Sequence, residues 1–255
     1  MKEPLRINIL TIFPEMFDGF FSTSILGRAR EQGLLDIRLT DIRPFSDSKH
    51  HNTDDYPYGG GAGMVMMAQP IISAMKAVSA EYPSARKIYL GPRGRRLSTA
   101  LARELASEKE LILLCGHYEG VDQRALDTCI DEEISIGDYI LTGGEPAAMV
   151  FTDCVARFVP GVLGSAESSE DESFSDGLLE YPQYTRPRDL DGMTVPEVLL
   201  NGDHARIKTW RRRESLAATL RYRPDLIENA PLDEADRKML LEIKKELNNS
   251  CSSEN

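Results

Sequence analysis

Residues 110–144 read ELILLCGHYEGVDQRALDTCIDEEISIGDYILTGG. The apolar run 111–115 is short and unbroken, the pattern of a strand buried on both faces. It runs into a glycine-containing turn at 116–120. A helical pattern over 122–130 follows. A second apolar segment, 134–141, is interrupted by Gly137 and ends at Gly143 and Gly144. Strand, glycine turn, helix and strand again is the succession of an α/β domain with a mainly parallel sheet.

The same succession extends in both directions. Upstream, 7–12 reads as a buried strand with a turn at Pro14, 24–32 as a helix ended by Gly33, and 34–40 as an alternating strand. Residues 44–64 are polar, then glycine-rich, and read as a long loop, which in a compact domain is usually functional or mobile. A helix is expected over 69–80, a strand over 87–90, and a helix over 98–108 capped by Ser98. Downstream, 146–158 reads as a helix with Pro146 near its first turn. Residues 164–176 are rich in Ser, Glu and Asp and read as a linker. Helical patterns follow at 195–200, 203–220 and 233–247. The expected organisation is an α/β domain over 1–163, a linker over 164–176, a small C-terminal helical domain over 177–247, and a disordered tail over 248–255.

Composition narrows the function classes. The chain has 255 residues, is 41% hydrophobic, and carries a net charge of -11. No apolar run is long enough to span a bilayer, and the N-terminus is a poor signal peptide. Cys115, Cys129, Cys154 and Cys251 form no C-x-x-C pair, so reduced thiols in the cytoplasm are expected. The acidic average argues against a non-specific nucleic-acid binder, but the charge is segregated. From Glu167 to Glu180 there are six acids and no Lys or Arg; from Arg206 to Arg223 there are seven Lys or Arg and one acid, Glu214. A local basic face can bind phosphates on an acidic protein.

Three expected strands end in glycine turns: Tyr89, Leu90, Gly91 and Pro92; then Gly116, Tyr118, Glu119 and Gly120; then Ser135, Ile136, Gly137, Asp138, Tyr139, Ile140, Leu141, Gly143 and Gly144. In parallel sheets ligands lie beyond the carboxyl ends of the strands. Glycine there lets backbone groups approach a flat ring closely. A single such turn needs no ligand to explain it; three in succession point to an adenosine-like one. Neither G-x-G-x-x-G nor G-x-x-x-x-G-K-[ST] follows an expected strand, which disfavours a dinucleotide or a P-loop nucleotide.

Residues 54–64 (DDYPYGGGAGM) resemble a loop of the bacterial tRNA (guanine-N1)-methyltransferases, the TrmD family. So do 115–120 (CGHYEG), 135–139 (SIGDY), 157–161 (RFVPG), 184–187 (YTRP) and 201–204 (NGDH). The motifs keep their order from Ile9 to about Leu247. This resemblance implies a SPOUT-type fold, with a parallel sheet and a deep trefoil knot. It implies a homodimer with active sites across the interface, S-adenosylmethionine as methyl donor in the glycine turns, and an assisting magnesium ion without assignable ligands. The implied reaction methylates N1 of the guanosine immediately 3′ of the anticodon in tRNA.

The family string Asp-Ser-Phe corresponds here to Asp171, Glu172, Ser173 and Phe174. Counting without a gap from Gly164 puts Glu172 in the place of the general base, with Asp171 the substitute. Arg157 falls where the family has an arginine near the substrate base. Gly59, Ser173, Gln183, Arg186, Lys208, Arg211 and Arg212 are then expected to touch tRNA, with Trp210 in the core of the small domain. Gln183 stands where the family often has His. His50, His51, Asp54 and Asp55 are read as part of a closing loop rather than a metal site. Two alternatives stay open: a catalytically idle tRNA binder with the same fold, and a related enzyme acting at another RNA position.

Overall fold

The first strand, β1 (Leu5–Thr11), shows how the sheet is built. Ile7 and Ile9 point into one apolar cluster and Leu10 into another, all without solvent exposure. A strand buried on both faces requires a layer of helices on each side. The computed structural model, which describes residues 3–164 and 172–252, has this arrangement. The chain divides into two compact units, residues 1–166 and 167–255.

In the first unit, β2 (Leu35–Asp41), β5 (Arg86–Arg96), β6 (Glu110–Cys115) and β7 (Glu132–Ser135) join β1 in one sheet of order β2-β1-β6-β5-β7. Every pairing is parallel. A two-stranded antiparallel pair, β3 (Asp54–Asp55) with β4 (Val65–Met66), brackets the glycine-rich part of the long loop. One face is covered by α1 (Ser24–Glu31), α3 (Thr99–Leu105) and α5 (Glu145–Ala156), through Leu26, Leu101, Leu105, Phe151 and Val155. The other is covered by α2 (Ala68–Glu81) and α4 (Gln123–Cys129), through Ile71, Met75, Val78 and Leu126. Each fully buried aliphatic or aromatic side chain contributes roughly 1.5–3 kcal/mol, so this two-sided core makes the sheet a rigid base for the turns at its carboxyl edge. Ser98 caps α3, its hydroxyl accepting from the Leu101 N–H at 3.2 Å.

Two strands differ from the sequence expectation. Strand β5 does not stop at Leu90. Its pairing with β7 shifts register between Leu90 and Arg95, so residues 91–94 arch out of the ladder before it resumes. Strand β7 ends at Ser135 rather than Leu141. The apolar residues beyond it leave the sheet, and Ile140 is 83% exposed.

In the second unit, α6 (His204–Tyr222), α7 (Pro224–Ile227) and α8 (Glu234–Ser252) surround a small core of Leu178, Leu216, Leu240 and Ile243. Residues 195–200 form a single 3₁₀ turn, Glu197–Leu199, rather than a longer helix, after a short hairpin of β8 (Asp189–Leu190) and β9 (Met193–Thr194). Helix α8 continues to Ser252, past residue 248 where the sequence suggested the tail begins. Trp210 is outside the small core. It is half-buried, tilted against Tyr184 with ring centroids 6.4 Å apart.

Candidate functional site

Three turns at the carboxyl edge of the sheet enclose a cavity with about 740 Å³ of space, its mouth included, a size suited to a nucleoside-sized ligand. Its walls contain Tyr89, Leu90, Gly91 and Pro92 from β5 and its arch. Gly116, Tyr118, Glu119 and Gly120 follow β6. Ser135, Ile136, Gly137, Tyr139, Ile140, Leu141, Gly143 and Gly144 follow β7. Of the residues expected there, Asp138 alone is not on the wall. It turns outward, 3.8 Å from Arg96 and largely exposed.

Local chemistry explains why the turns take this shape. The arch 91–94 crosses directly over β7: a Cβ on Gly94 would lie 2.3 Å from the carbonyl carbon of Glu133. The Glu133 carboxylate accepts from the Arg93 N–H at 2.8 Å and holds the arch down. The third turn crosses the second at Gly144, whose N–H donates to the Gly116 carbonyl at 2.7 Å. A Cβ on Gly144 would lie 2.8 Å from the Cys115 Cα and 2.9 Å from the Gly116 nitrogen. Only glycine permits that approach. The second turn is also tied to the long loop: the Glu119 N–H donates to Met64 and the Met66 N–H to Gly120. The loop containing Gly59 is thereby anchored beside the cavity, although Gly59 itself is exposed.

The walls are mainly neutral. Burial, followed by the nearby Glu133, raises the Tyr89 hydroxyl above its ordinary pKa. Burial likewise raises the Cys115 thiol well above its ordinary value, with Glu145 adding to the effect, so it stays protonated beneath the cavity floor. His117, Ile134, Thr142 and Ala147 also line the cavity and were not singled out from sequence. His117 lies between the rings of Phe13 and Tyr118. Sequence gave a usable signal for His117, which sits inside the glycine turn; Ile134 and Ala147 read only as core residues.

Arg157 closes the C-terminus of α5, its backbone N–H donating to Asp153 and Val155. The second unit contains a cavity of its own, lined by Glu172, Tyr181, Lys208, Arg211 and Arg212, among others. Glu172 opens a tight turn. Its carbonyl accepts from the Ser175 N–H, and the Phe174 N–H donates to Leu178. The Ser173 hydroxyl accepts from the Glu180 N–H at 2.9 Å, and the Gln183 amide donates to the Glu180 carboxylate. Arg186 is exposed. Asp171 lies outside the described residues.

The basic stretch of α6 divides in two. Arg212 makes a two-point contact with Asp236, at 2.9 and 2.7 Å, and also bonds Asp176. Arg213 pairs with Glu246 and Arg223 with Asp225. Arg212 therefore holds the unit together, where the sequence suggested a contact to tRNA; its side chain also lines the cavity beside Lys208 and Arg211. Arg206, Lys208, Arg211 and Arg221 form no ion pair with the described residues, and Arg211 stacks over the Tyr181 ring at 4.7 Å. They are the positive charges left for an outside anion. Among the described residues no group of three His, Cys, Asp or Glu side chains is arranged to hold a metal ion, and no helix is long and apolar enough to cross a membrane.

Comparison with known proteins gives a consistent answer. A family model described as tRNA (Guanine-1)-methyltransferase TrmD matches residues 5–229. A Geobacter metallireducens protein named tRNA (guanine-N(1)-)-methyltransferase is 55% identical over 240 residues, 94% of this chain and 98% of its own length. A Geobacillus kaustophilus protein of the same name is 55% identical over 242 residues, covering 95% and 99%. One from Clostridium perfringens is 55% identical over 236 residues, covering 92% and 99%.

Proposed function

The chain belongs to the tRNA (guanine-1)-methyltransferase family, and from that premise we propose that it methylates N1 of the guanosine immediately 3′ of the anticodon, with S-adenosylmethionine as donor. The observation that carries the donor assignment is the cavity between the three glycine turns. Its approach at Gly144 leaves main-chain groups on the wall, suited to reading an adenine edge. When bound, S-adenosylmethionine supplies an electrophilic methyl group on a sulfonium.

The protein's own task follows from guanine chemistry. Neutral guanine carries a proton on N1 and has no free in-plane lone pair there. Glu172 acts as the general base that removes this proton, with Asp171 the substitute. Negative charge then develops on O6, and Arg157 supplies the positive charge that stabilises it. Ser173 positions the base. Gly59, Gln183, Arg186, Lys208 and Arg211 contact the tRNA, mostly through its backbone, which fixes position rather than sequence. With Arg212 held by Asp236, the exposed Arg206 is the better candidate beside Lys208.

The same reading includes a homodimer, a trefoil knot and a cytoplasmic location. The exposed Tyr139, Ile140 and Val150 support an apolar partner surface. The crossing of 143–144 over 115–116, after the chain has left the edge strand β7, supports a threaded chain. An assisting magnesium ion belongs to the same reading, without assigned protein ligands.

Titration calorimetry with S-adenosylhomocysteine tests the donor site. One site per chain is expected, with no binding of NAD. Gly144→Ala should weaken binding about tenfold or more, a change of roughly 1.4 kcal/mol. Undiminished binding by that variant, or a preference for NAD, would show that the cavity is not the donor site.

A further inference from the structure

Next to the donor cavity lies a buried acid to which the proposed reaction gives no role. Glu145 is the first residue of α5 and has no exposed surface. One carboxylate oxygen, Oε1, accepts from the Thr11 hydroxyl at 2.7 Å. The other, Oε2, is buried without a hydrogen-bond partner among the described residues. It faces His117 Nδ1 at 3.6 Å, and that nitrogen is also buried without a partner. The two atoms are opposed but just beyond hydrogen-bond range. Gly143 bounds the gap, since a Cβ there would lie 2.4 Å from Glu145 Oε2 and 2.5 Å from His117 Nδ1.

Other contacts hold the imidazole in this place. Its ring lies 4.9 Å from the Phe13 ring and 5.0 Å from that of Tyr118. Phe13 is in turn fixed by its N–H, which donates to the Thr11 hydroxyl at 2.9 Å, and by Arg43 stacked over its ring. Thr11 thus orients both the carboxylate and the aromatic neighbour of His117. An ionised carboxylate only accepts hydrogen bonds, so the nitrogen facing it must carry the proton. In a neutral imidazole the other nitrogen is then an acceptor.

We propose that Glu145 and Thr11 fix His117 as the Nδ1–H tautomer, so that its Nε2 lies on the donor side as an acceptor for a hydroxyl or ammonium of the bound donor. This tautomer directs the Nδ1–H across the 3.6 Å gap at Glu145 Oε2. His117 is thus a donor-binding residue, and Glu145 is a positioning residue that acts only through it. The inference rests on the donor reading of the cavity.

The test uses the full chain with ¹⁵N-labelled histidine, of which there are only four. Long-range ¹⁵N–¹H correlation reads the His117 tautomer with and without S-adenosylhomocysteine, the signal being assigned by its loss in His117→Gln. The native ring should be Nδ1–H. Glu145→Gln, whose amide can donate, should shift it toward Nε2–H and raise the donor KM about tenfold, with kcat within about threefold. His117→Leu should match that loss, while His117→Gln, which keeps an acceptor, should recover most of it. If Glu145→Gln does not fold, Thr11→Val carries the same comparison. A native Nε2–H ring, or unchanged tautomer and KM in the variants, overturns the proposal. Failure of the native chain to bind S-adenosylhomocysteine instead overturns the donor reading, because the tautomer of the free protein is read independently.

Discussion

Glu172→Gln is expected to lower the methyl-transfer rate constant by about a hundredfold or more, the usual worth of a positioned general base, and to leave S-adenosylhomocysteine binding unchanged. The substitution keeps the shape of the side chain and removes its ability to accept a proton. Because N1 of guanine cannot attack while protonated, the loss falls on kcat in single-turnover reactions and not on the affinity for tRNA. Asp171→Asn, measured in parallel, should cost less than about threefold on the same scale. The reverse pattern would make Asp171 the base. Equal activity in both variants would remove the carboxylate mechanism. Glu172 also forms the turn that presents Ser173 and Phe174, so circular dichroism should accompany the kinetics.

Arg212→Met destabilises the second unit by about 3 kcal/mol, the lower end of the cost of leaving a buried ion-pair partner alone. The Asp236 side chain is only 6% exposed and receives two hydrogen bonds from Arg212. Asp176, at 48%, is well solvated and adds little. Asp236 also exchanges hydrogen bonds with Asp233 at the start of α8, so the ion pair secures a helix cap as well. The bond from Arg212 holds the Asp236 carboxyl below its ordinary pKa. A depressed carboxylate contributes its stability above the unfolded value, about 3.9, and loses it as pH falls through the lower folded value. Acid unfolding of the native protein should therefore steepen below about pH 4, and Arg212→Met should be less sensitive there. Urea unfolding followed by Trp210, the only tryptophan, reads both effects. Equal stability of the two proteins would show that the clamp is not structural.

How far these features were legible in the sequence differs with their range. The sheet was legible because β1 and β6 are short runs buried on both faces, and few other structures suit such runs. The turns that line the cavity were legible as turns because a glycine after a strand is a local signal. The arch 91–94 was not, since resumption of β5 depends on a register shift against β7, a pairing invisible in a linear pattern. Residues 136–141 misled because an apolar stretch leaving the sheet has the same composition as one staying in it.

Long-range electrostatics were the least legible. Glu145 stands at a helix start, where an acid is favoured by the helix dipole, and nothing nearby reveals that it is wholly buried against Thr11 and His117. Arg212 sits in a basic run, the usual look of a solvated or phosphate-binding face. Its partner Asp236 lies on a separate helix, and the pairing emerges only when α6 packs on α8. The basic character was correctly read as a property of the segment, while its division into structural and available charges needed the fold.

The most direct measurement is the position of the methyl group. Purified protein is incubated with S-adenosylmethionine and two tRNA transcripts, one with guanosine and one with adenosine 3′ of the anticodon, and the products are mapped by nuclease digestion and mass spectrometry. 1-Methylguanosine is expected at that single position in the first transcript, with no product from the second. Methyl transfer to a different nucleotide, or none to either transcript by a protein that binds both donor and tRNA, would contradict it.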